Sequence, residues 1–141
     1  MWPGSLLPAC SRVGWIKGYK VFAVDIQPLA VKTVKEKAVR QGLTNIETIL
    51  VDSYNSGIQD SSIDLVLLID TLHLINDCNA LFREIHRILK QDGLIFMDKG
   101  HLKMSRAIEI VESTDLFTIQ ECRDHDMLVS PKISSETSEF A

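Results

Sequence analysis

Apolar and polar positions change their spacing repeatedly between residues 19 and 131. Short apolar runs, typical of buried strands, alternate with segments in which apolar residues recur every three or four positions, typical of amphipathic helices. This alternation predicts an open α/β sheet with helices on both faces, closed by an antiparallel pair of strands. The predicted strands cover residues 19–25, 45–51, 63–70, 94–98, 116–124 and 125–131, and the predicted helices cover 28–41, 79–90 and 104–111.

Turn-forming residues separate several of these segments. Pro28 suits the first turn of a helix, and Gly42 suits the position just past its end. "QDG" at residues 91–93 predicts a turn between the second helix and the strand that follows. With 141 residues the chain has the length of one domain. We expect an atypical N-terminal segment over residues 1–17, the α/β domain over 18–131, and a flexible tail over 132–141.

Composition narrows the classes of function. A net charge of −4 argues against a protein that binds nucleic acid through the phosphate backbone. No apolar run approaches the roughly 20 residues that span a bilayer, and "MWPGSLLPACS" lacks the basic start of a signal peptide. Cys10, Cys78 and Cys122 lie far apart, without a CxxC pair or a histidine at ligand spacing. We therefore expect reduced thiols in a cytoplasmic protein, without a metal site.

Aspartates end four successive predicted strands. They are Asp25, Asp52, Asp70 and Asp98. Open α/β sheets bind ligands beyond the carboxyl ends of their strands, so these carboxylates are candidate ligand contacts. At the first position a carboxylate can accept both hydroxyls of a ribose, through charge-assisted hydrogen bonds of about 1.5–3 kcal/mol each. The alternative is that the aspartates cap helices or turn loops, where this residue is common.

Three stretches carry a resemblance to a known family. "YKVFAVDIQPLAVKTVKEKAVRQGLTNIETILVDS", "GIQDSSIDLVLLIDTLHLI" and "LFREIHRILKQDGLIFMD" together resemble a class I S-adenosylmethionine-dependent methyltransferase of the type 11, small-molecule group. The resemblance runs from about residue 18 to about residue 130 and implies a Rossmann-like fold that binds S-adenosylmethionine. It implies that Asp25 binds the ribose hydroxyls, Ile26 lies beside the adenine, Asp52 faces the adenine amine, Ser53 supplies a backbone amide, and Ile69 and Asp70 lie under the sulfonium and amino-acid portion.

The sequence departs from that family before Gly18. The family's first strand and its glycine-rich loop have no recognisable counterpart there, which indicates a truncated or degenerate start. In this fold the missing strand lies between the strands that end at Asp25 and Asp70, and its loss leaves two unpaired edges. Three arrangements are open: "SLLPACS" fills part of the gap, the two edges pair directly, or the chain needs a partner. An exposed edge would also permit self-association.

Candidate catalytic chemistry is limited to residues that follow two strands. His73 could orient an acceptor or take a proton, or it could simply pack at the start of a loop. Lys99 and His101 could contact an anionic acceptor or be solvated. The resemblance implies methyl transfer to a small-molecule acceptor. The alternative is an inactive methyltransferase-like domain that acts through protein contacts. A nicotinamide-dependent dehydrogenase also places an acidic residue after its second strand, but these motifs resemble it less.

Overall fold

A computed structural model describes residues 20–133, which form an α/β fold. The strands are β1 (Val21–Asp25), β2 (Ile46–Leu50), β3 (Ile63–Leu68), β4 (Leu89–Asp98), β5 (Phe117–Cys122) and β6 (Asp126–Pro131). The helices are α1 (Pro28–Arg40), α2 (Cys78–Ile88) and α3 (Met104–Ser113), and a 3-10 turn covers Leu72–Leu74. The predicted order of elements is confirmed. None of the helices in this range combines the length and the apolar character needed to cross a bilayer.

The strands divide between two sheets. β1 and β2 form a parallel pair, and the second sheet has the order β3-β4-β6-β5. In the second sheet β3 and β4 are parallel, whereas β6 runs antiparallel to both β4 and β5. The predicted antiparallel pair of closing strands is therefore confirmed. The parallel pairs bring the carboxyl ends of β1 and β2 together, and likewise those of β3 and β4.

Within residues 20–133, side chains join the two sheets and no backbone ladder does. Among residues 20–133, no strand pairs with β1 or β3 on the edge that faces away from β2 or β4. Leu67 of β3 packs against the cluster that contains Ala23 and Val34. A second cluster joins Val24 to Ile88 at the end of α2. Direct pairing of the two edges is thus excluded, and the expectations for residues 1–17 lie outside the described residues.

The main core lies between the four-stranded sheet and two helices. α2 and α3 pack into one cluster, which includes Phe82 and Ile85 of α2 and Val111 of α3. The apolar residues predicted to line one face of the second helix are buried, with Leu81 and Ile85 each 0% exposed, Ile88 5% and Leu89 3%. This core holds β3 and β4 in register, and it thereby fixes the positions of the loops that follow them.

The predicted turn at residues 91–93 is wrong. α2 ends at Ile88 and β4 begins at once with Leu89. Ile63 pairs with Leu89 and Leu65 pairs with Leu94, so residues 90–93 form a bulge within the strand. The last carbonyls of α2 accept N–H groups from the loop before β3, with Ser62 donating to Ile88 at 2.8 Å. Because these bonds satisfy the helix end, the chain needs no separate turn there.

Candidate functional site

The candidate residues fall into two groups at the carboxyl ends of the strands. Asp25 ends β1, while Asp52 and Ser53 follow β2. Ile69 and Asp70 follow β3, and Asp98 ends β4. The first group belongs to the two-stranded sheet and the second to the four-stranded sheet.

Asp25 is a buried carboxylate with one unpartnered oxygen. The residue is 0% exposed. Its Oδ1 accepts the backbone N–H groups of Ile26 at 2.6 Å and Gln27 at 3.1 Å. Its Oδ2 is buried and has no hydrogen-bond partner among the described residues. The backbone N–H groups of the turn therefore occupy Oδ1. Oδ2 is the oxygen that can accept a hydrogen bond from a ligand.

Exposed apolar side chains surround the end of β1. Ile26 is 56% exposed, Leu29 is 74% exposed, and Leu50, which pairs with Asp25 in the sheet, is 52% exposed. An aromatic ring laid on such a surface would remove apolar area from water. Asp52 and Ser53 are exposed on the loop that follows β2.

A buried glutamate ties that loop to α2. The Oε2 atom of Glu84 accepts the Ser56 N–H at 2.8 Å and the Ser56 hydroxyl at 2.7 Å. The guanidinium of Arg87 donates to both oxygens of Glu84, at 2.9 and 2.6 Å. Burial by itself raises the pKa of Glu84, but the hydrogen bonds from Arg87 and Ser56 outweigh it and lower the pKa to about 2. The contact joins residues 28 positions apart, so sequence reasoning missed it.

Acid is expected to destabilise the protein through Glu84. Its pKa lies below the ordinary value of 4.5, so the carboxylate stabilises the fold fully above that pH, and the contribution is lost as the pH falls toward 2. The shift corresponds to about 3 kcal/mol of unfolding free energy. Denaturant unfolding at neutral pH and at about pH 3 should show about 2 kcal/mol of this loss, because the remainder is lost only at lower pH. If a Glu84→Gln variant lost as much unfolding free energy between these two pH values as the parent, other groups would be the cause of the acid sensitivity.

One carboxylate joins the loops that follow β3 and β4. The Oδ1 atom of Asp98 accepts the backbone N–H of Asp70 at 2.9 Å and that of Gly100 at 3.0 Å. Asp70 has a φ of +53° and Gly100 a φ of +57°, both in the left-handed region. A Cβ atom at Gly100 would collide with Nδ1 of His73. Asp98 and Gly100 therefore hold His73 against the second loop.

Two histidines and Asp70 meet at this point. The backbone N–H of His101 donates to Nδ1 of His73 at 3.3 Å, and the centroids of the two imidazole rings lie 4.3 Å apart. Nε2 of His73 lies 4.0 Å from Oδ1 of Asp70, and Nε2 of His101 lies 3.6 Å from the same oxygen. The side chain of His73 is only 17% exposed, while that of His101 is 76% exposed. Lys99 is half-buried.

Comparison with known proteins points to one family and one fold. The profile of a methyltransferase domain, type 11, matches residues 3–97, which is over half of the chain. A solved S-adenosylmethionine-dependent methyltransferase from Aquifex aeolicus superposes with a TM-score of 0.76 at 19% identity, over 93% of this chain and 77% of that one. Another from Methanosarcina mazei gives a TM-score of 0.70 at 13% identity, over 89% and 87%.

A third solved structure shows that the fold does not dictate the reaction. The cyclase SpnF superposes with a TM-score of 0.75 at 18% identity, over 85% of this chain and 50% of its own. This chain thus spans half of SpnF. Identities this low establish the fold alone, and one fold can serve several chemistries. No curated protein matches the sequence.

Proposed function

Because this chain belongs to the type 11 methyltransferase domain family, whose cofactor is S-adenosylmethionine, we propose that it transfers the methyl group of that cofactor to a small-molecule acceptor. The observation that carries the proposal is the unpartnered Oδ2 of Asp25. An unpaired buried acceptor is costly, and a ligand hydroxyl would satisfy it. The residues present therefore fit the cofactor at this position.

We assign the adenosine half of the cofactor to the end of the two-stranded sheet. Asp25 would accept a ribose hydroxyl through Oδ2, because Oδ1 is occupied by the backbone N–H groups of Ile26 and Gln27. The exposed side chain of Ile26 would contact the adenine ring. Asp52 would accept from the adenine amine, and the backbone of Ser53 would lie beside it. Glu84 would act on this half indirectly, since it anchors the loop that carries Asp52 and Ser53.

We assign the reacting half to the loops after β3 and β4, with Ile69 and Asp70 beneath it. When bound, the cofactor supplies an activated methyl group on its sulfonium. Methyl displacement depends mainly on holding the acceptor in line, so a dedicated catalytic group is not obligatory. His73 would orient the acceptor. Its Nδ1 accepts from the His101 N–H, so the neutral ring carries its hydrogen on Nε2 and can donate it to an acceptor atom.

A second candidate function is an inactive methyltransferase-like domain that acts through protein contacts. The observation that favours it is the break between the two sheets, where residues 20–133 supply no strand beside β1 or β3. Such edges present unpaired N–H and C=O groups that a partner strand can use. This alternative includes self-association, in which the partner strand comes from a second copy of the chain.

The cysteines and the net charge bear on the location and partners of the protein. Cys78 and Cys122 are free thiols, as in cytoplasmic proteins, where disulfides are rare. The net charge of −4 disfavours a nucleic-acid or membrane partner, because both surfaces carry negative charge. We therefore propose a cytoplasmic protein that acts on a soluble acceptor.

Titration calorimetry with S-adenosylmethionine and with its demethylated product tests the proposal. We expect both to bind in the micromolar range to the folded, monodisperse chain. His73→Ala should leave that affinity unchanged, because the assigned role of His73 concerns the acceptor and not the cofactor. A folded chain that binds neither compound would overturn the enzymatic proposal and leave the protein-contact alternative.

A further inference from the structure

The geometry around Asp70 points to a use beyond positioning an acceptor. We propose that Asp70, His73 and His101 bind a divalent transition-metal ion of the Zn²⁺ class. Each residue offers one ligand atom, and the three atoms lie within 4.8 Å of one another. This inference departs from our sequence-based expectation of no metal site, which considered only cysteine pairs and closely spaced ligands.

The three ligand atoms are close to the spacing that a metal requires. Zinc binds imidazole nitrogen and carboxylate oxygen at about 2.0–2.2 Å, so two tetrahedral ligands lie about 3.4 Å apart. Both histidine Nε2 atoms already lie near Asp70 Oδ1, at 3.6 and 4.0 Å. The three atoms lie within 4.8 Å of one another, so the widest separation would have to close by at most about 1.4 Å. Rotation of the exposed His101 side chain can supply that movement.

The chemistry of the ligands selects the class of ion. Two imidazoles with one carboxylate suit zinc, iron, nickel and copper, whereas magnesium and calcium prefer a shell made of oxygen atoms alone. The ligands come from two loops that Asp98 links through the backbone N–H groups of Asp70 and Gly100. A site anchored at both loops by one carboxylate is held in place before any ion binds.

Metal binding would move the ring hydrogen of His73 from one nitrogen to the other. In the structure Nδ1 of His73 accepts the His101 N–H at 3.3 Å, which leaves the hydrogen of the neutral ring on Nε2. An ion at Nε2 needs the lone pair of that nitrogen, so the hydrogen must move to Nδ1 and the bond from His101 is given up. That bond is long, and the metal–nitrogen bond replaces it.

The ion would serve the acceptor side of the site, and with the ion bound His73 would hold the acceptor through the metal and no longer through its Nε2 hydrogen. Asp70 and His101 are 58% and 76% exposed at their side chains, so positions on the solvent side of the ion stay open. A hydroxyl or carboxylate oxygen of the acceptor could take such a position, where a metal ion fixes and activates it. This last step rests on the proposed function, whereas the binding of the ion does not.

Calorimetric titration of the tag-free, chelator-treated full chain with ZnCl₂ tests the site in the absence of S-adenosylmethionine. We expect one ion per chain and no comparable binding of MgCl₂. His101→Ala should weaken zinc binding at least tenfold, because loss of even an outer contact of a zinc site costs about 10–100-fold. Addition of Co²⁺ in place of Zn²⁺ should give visible absorption bands that the variant lacks.

The matched control is His125→Ala, which removes another exposed histidine outside the cluster and should leave zinc affinity unchanged. Absence of zinc binding by the parent chain would overturn the inference. So would equal binding by the parent and His101→Ala, because the ion would then lie elsewhere, for example on the thiols. A chain that binds Zn²⁺ but not S-adenosylmethionine would overturn the proposed function alone.

Discussion

Asp25→Asn is expected to weaken S-adenosylmethionine binding by about 10- to 100-fold while leaving the protein folded. The asparagine can keep its side-chain oxygen on the N–H groups of Ile26 and Gln27, which now bond to Oδ1. Its amide group then stands in the place of Oδ2 and offers hydrogen where a ribose hydroxyl needs an acceptor. One lost charge-assisted bond of about 1.5–3 kcal/mol gives the stated range.

Stability should move differently from affinity in this variant. The parent buries a carboxylate whose Oδ2 has no partner among the described residues, and an unpaired amide is less costly to bury than an unpaired charge. We therefore expect Asp25→Asn to unfold at the same denaturant concentration as the parent or at a higher one. Calorimetry and denaturant unfolding on the same preparations separate the two effects.

Glu109→Gln is the matched control for Asp25→Asn. Glu109 lies on α3, its side chain is 65% exposed, and it pairs with Arg106 one turn away. The Glu109→Gln substitution also removes one carboxylate, so it controls for the change in net charge. It should alter neither the cofactor affinity nor the free energy of unfolding. Unchanged cofactor affinity in Asp25→Asn would contradict our assignment of the ribose to Asp25.

Glu84→Ala is expected to destabilise the fold by about 2–4 kcal/mol. Removing one partner of a buried ion pair costs about 3–5 kcal/mol. The lower range applies here because the Arg87 side chain is 33% exposed and can recover some hydration. The variant also leaves the buried N–H and hydroxyl of Ser56 without the acceptor that they now share. Against a typical total of about 5–15 kcal/mol, this is a large loss.

Denaturant unfolding measures the effect of Glu84→Ala, and Asp60→Ala provides its control. Asp60 pairs with the same Arg87, but its side chain is 75% exposed, so its loss should cost less than about 1 kcal/mol. Similar losses in the two variants would contradict the view that burial of Glu84, and not charge pairing as such, fixes the loop after β2.

Regular elements could be predicted because their signals are local. The spacing of Val31, Val34 and Ala38, bounded by Pro28 and Gly42, predicted a helix over 28–41 that the structure places at Pro28–Arg40. The bulge at residues 90–93 could not be predicted. Its turn-like residues lie in β4 because the loop before β3 satisfies the carbonyls at the end of α2, a contact that depends on tertiary structure.

Only part of the candidate site could be predicted from the sequence, because some of its contacts depend on tertiary structure. Strand ends marked Asp25, Asp52 and Asp70, because an apolar run that stops on a carboxylate is a local feature. The contacts of Glu84 with Ser56 and of Asp98 with Asp70 each join residues 28 positions apart. His101 and His73 are also 28 positions apart. No spacing rule connects such pairs, since the folded sheet alone brings them together.

The division into two sheets has a consequence for how the protein opens. The unit formed by β1, α1 and β2 shares side-chain clusters with the rest of the described chain, but no strand ladder crosses between them. Partial unfolding, in which this unit detaches while the four-stranded sheet persists, should therefore require less free energy than global unfolding. Amide exchange along β1 would report it. A ligand bound to Asp25 would stabilise the unit formed by β1, α1 and β2, and amide exchange in that unit would then be slower.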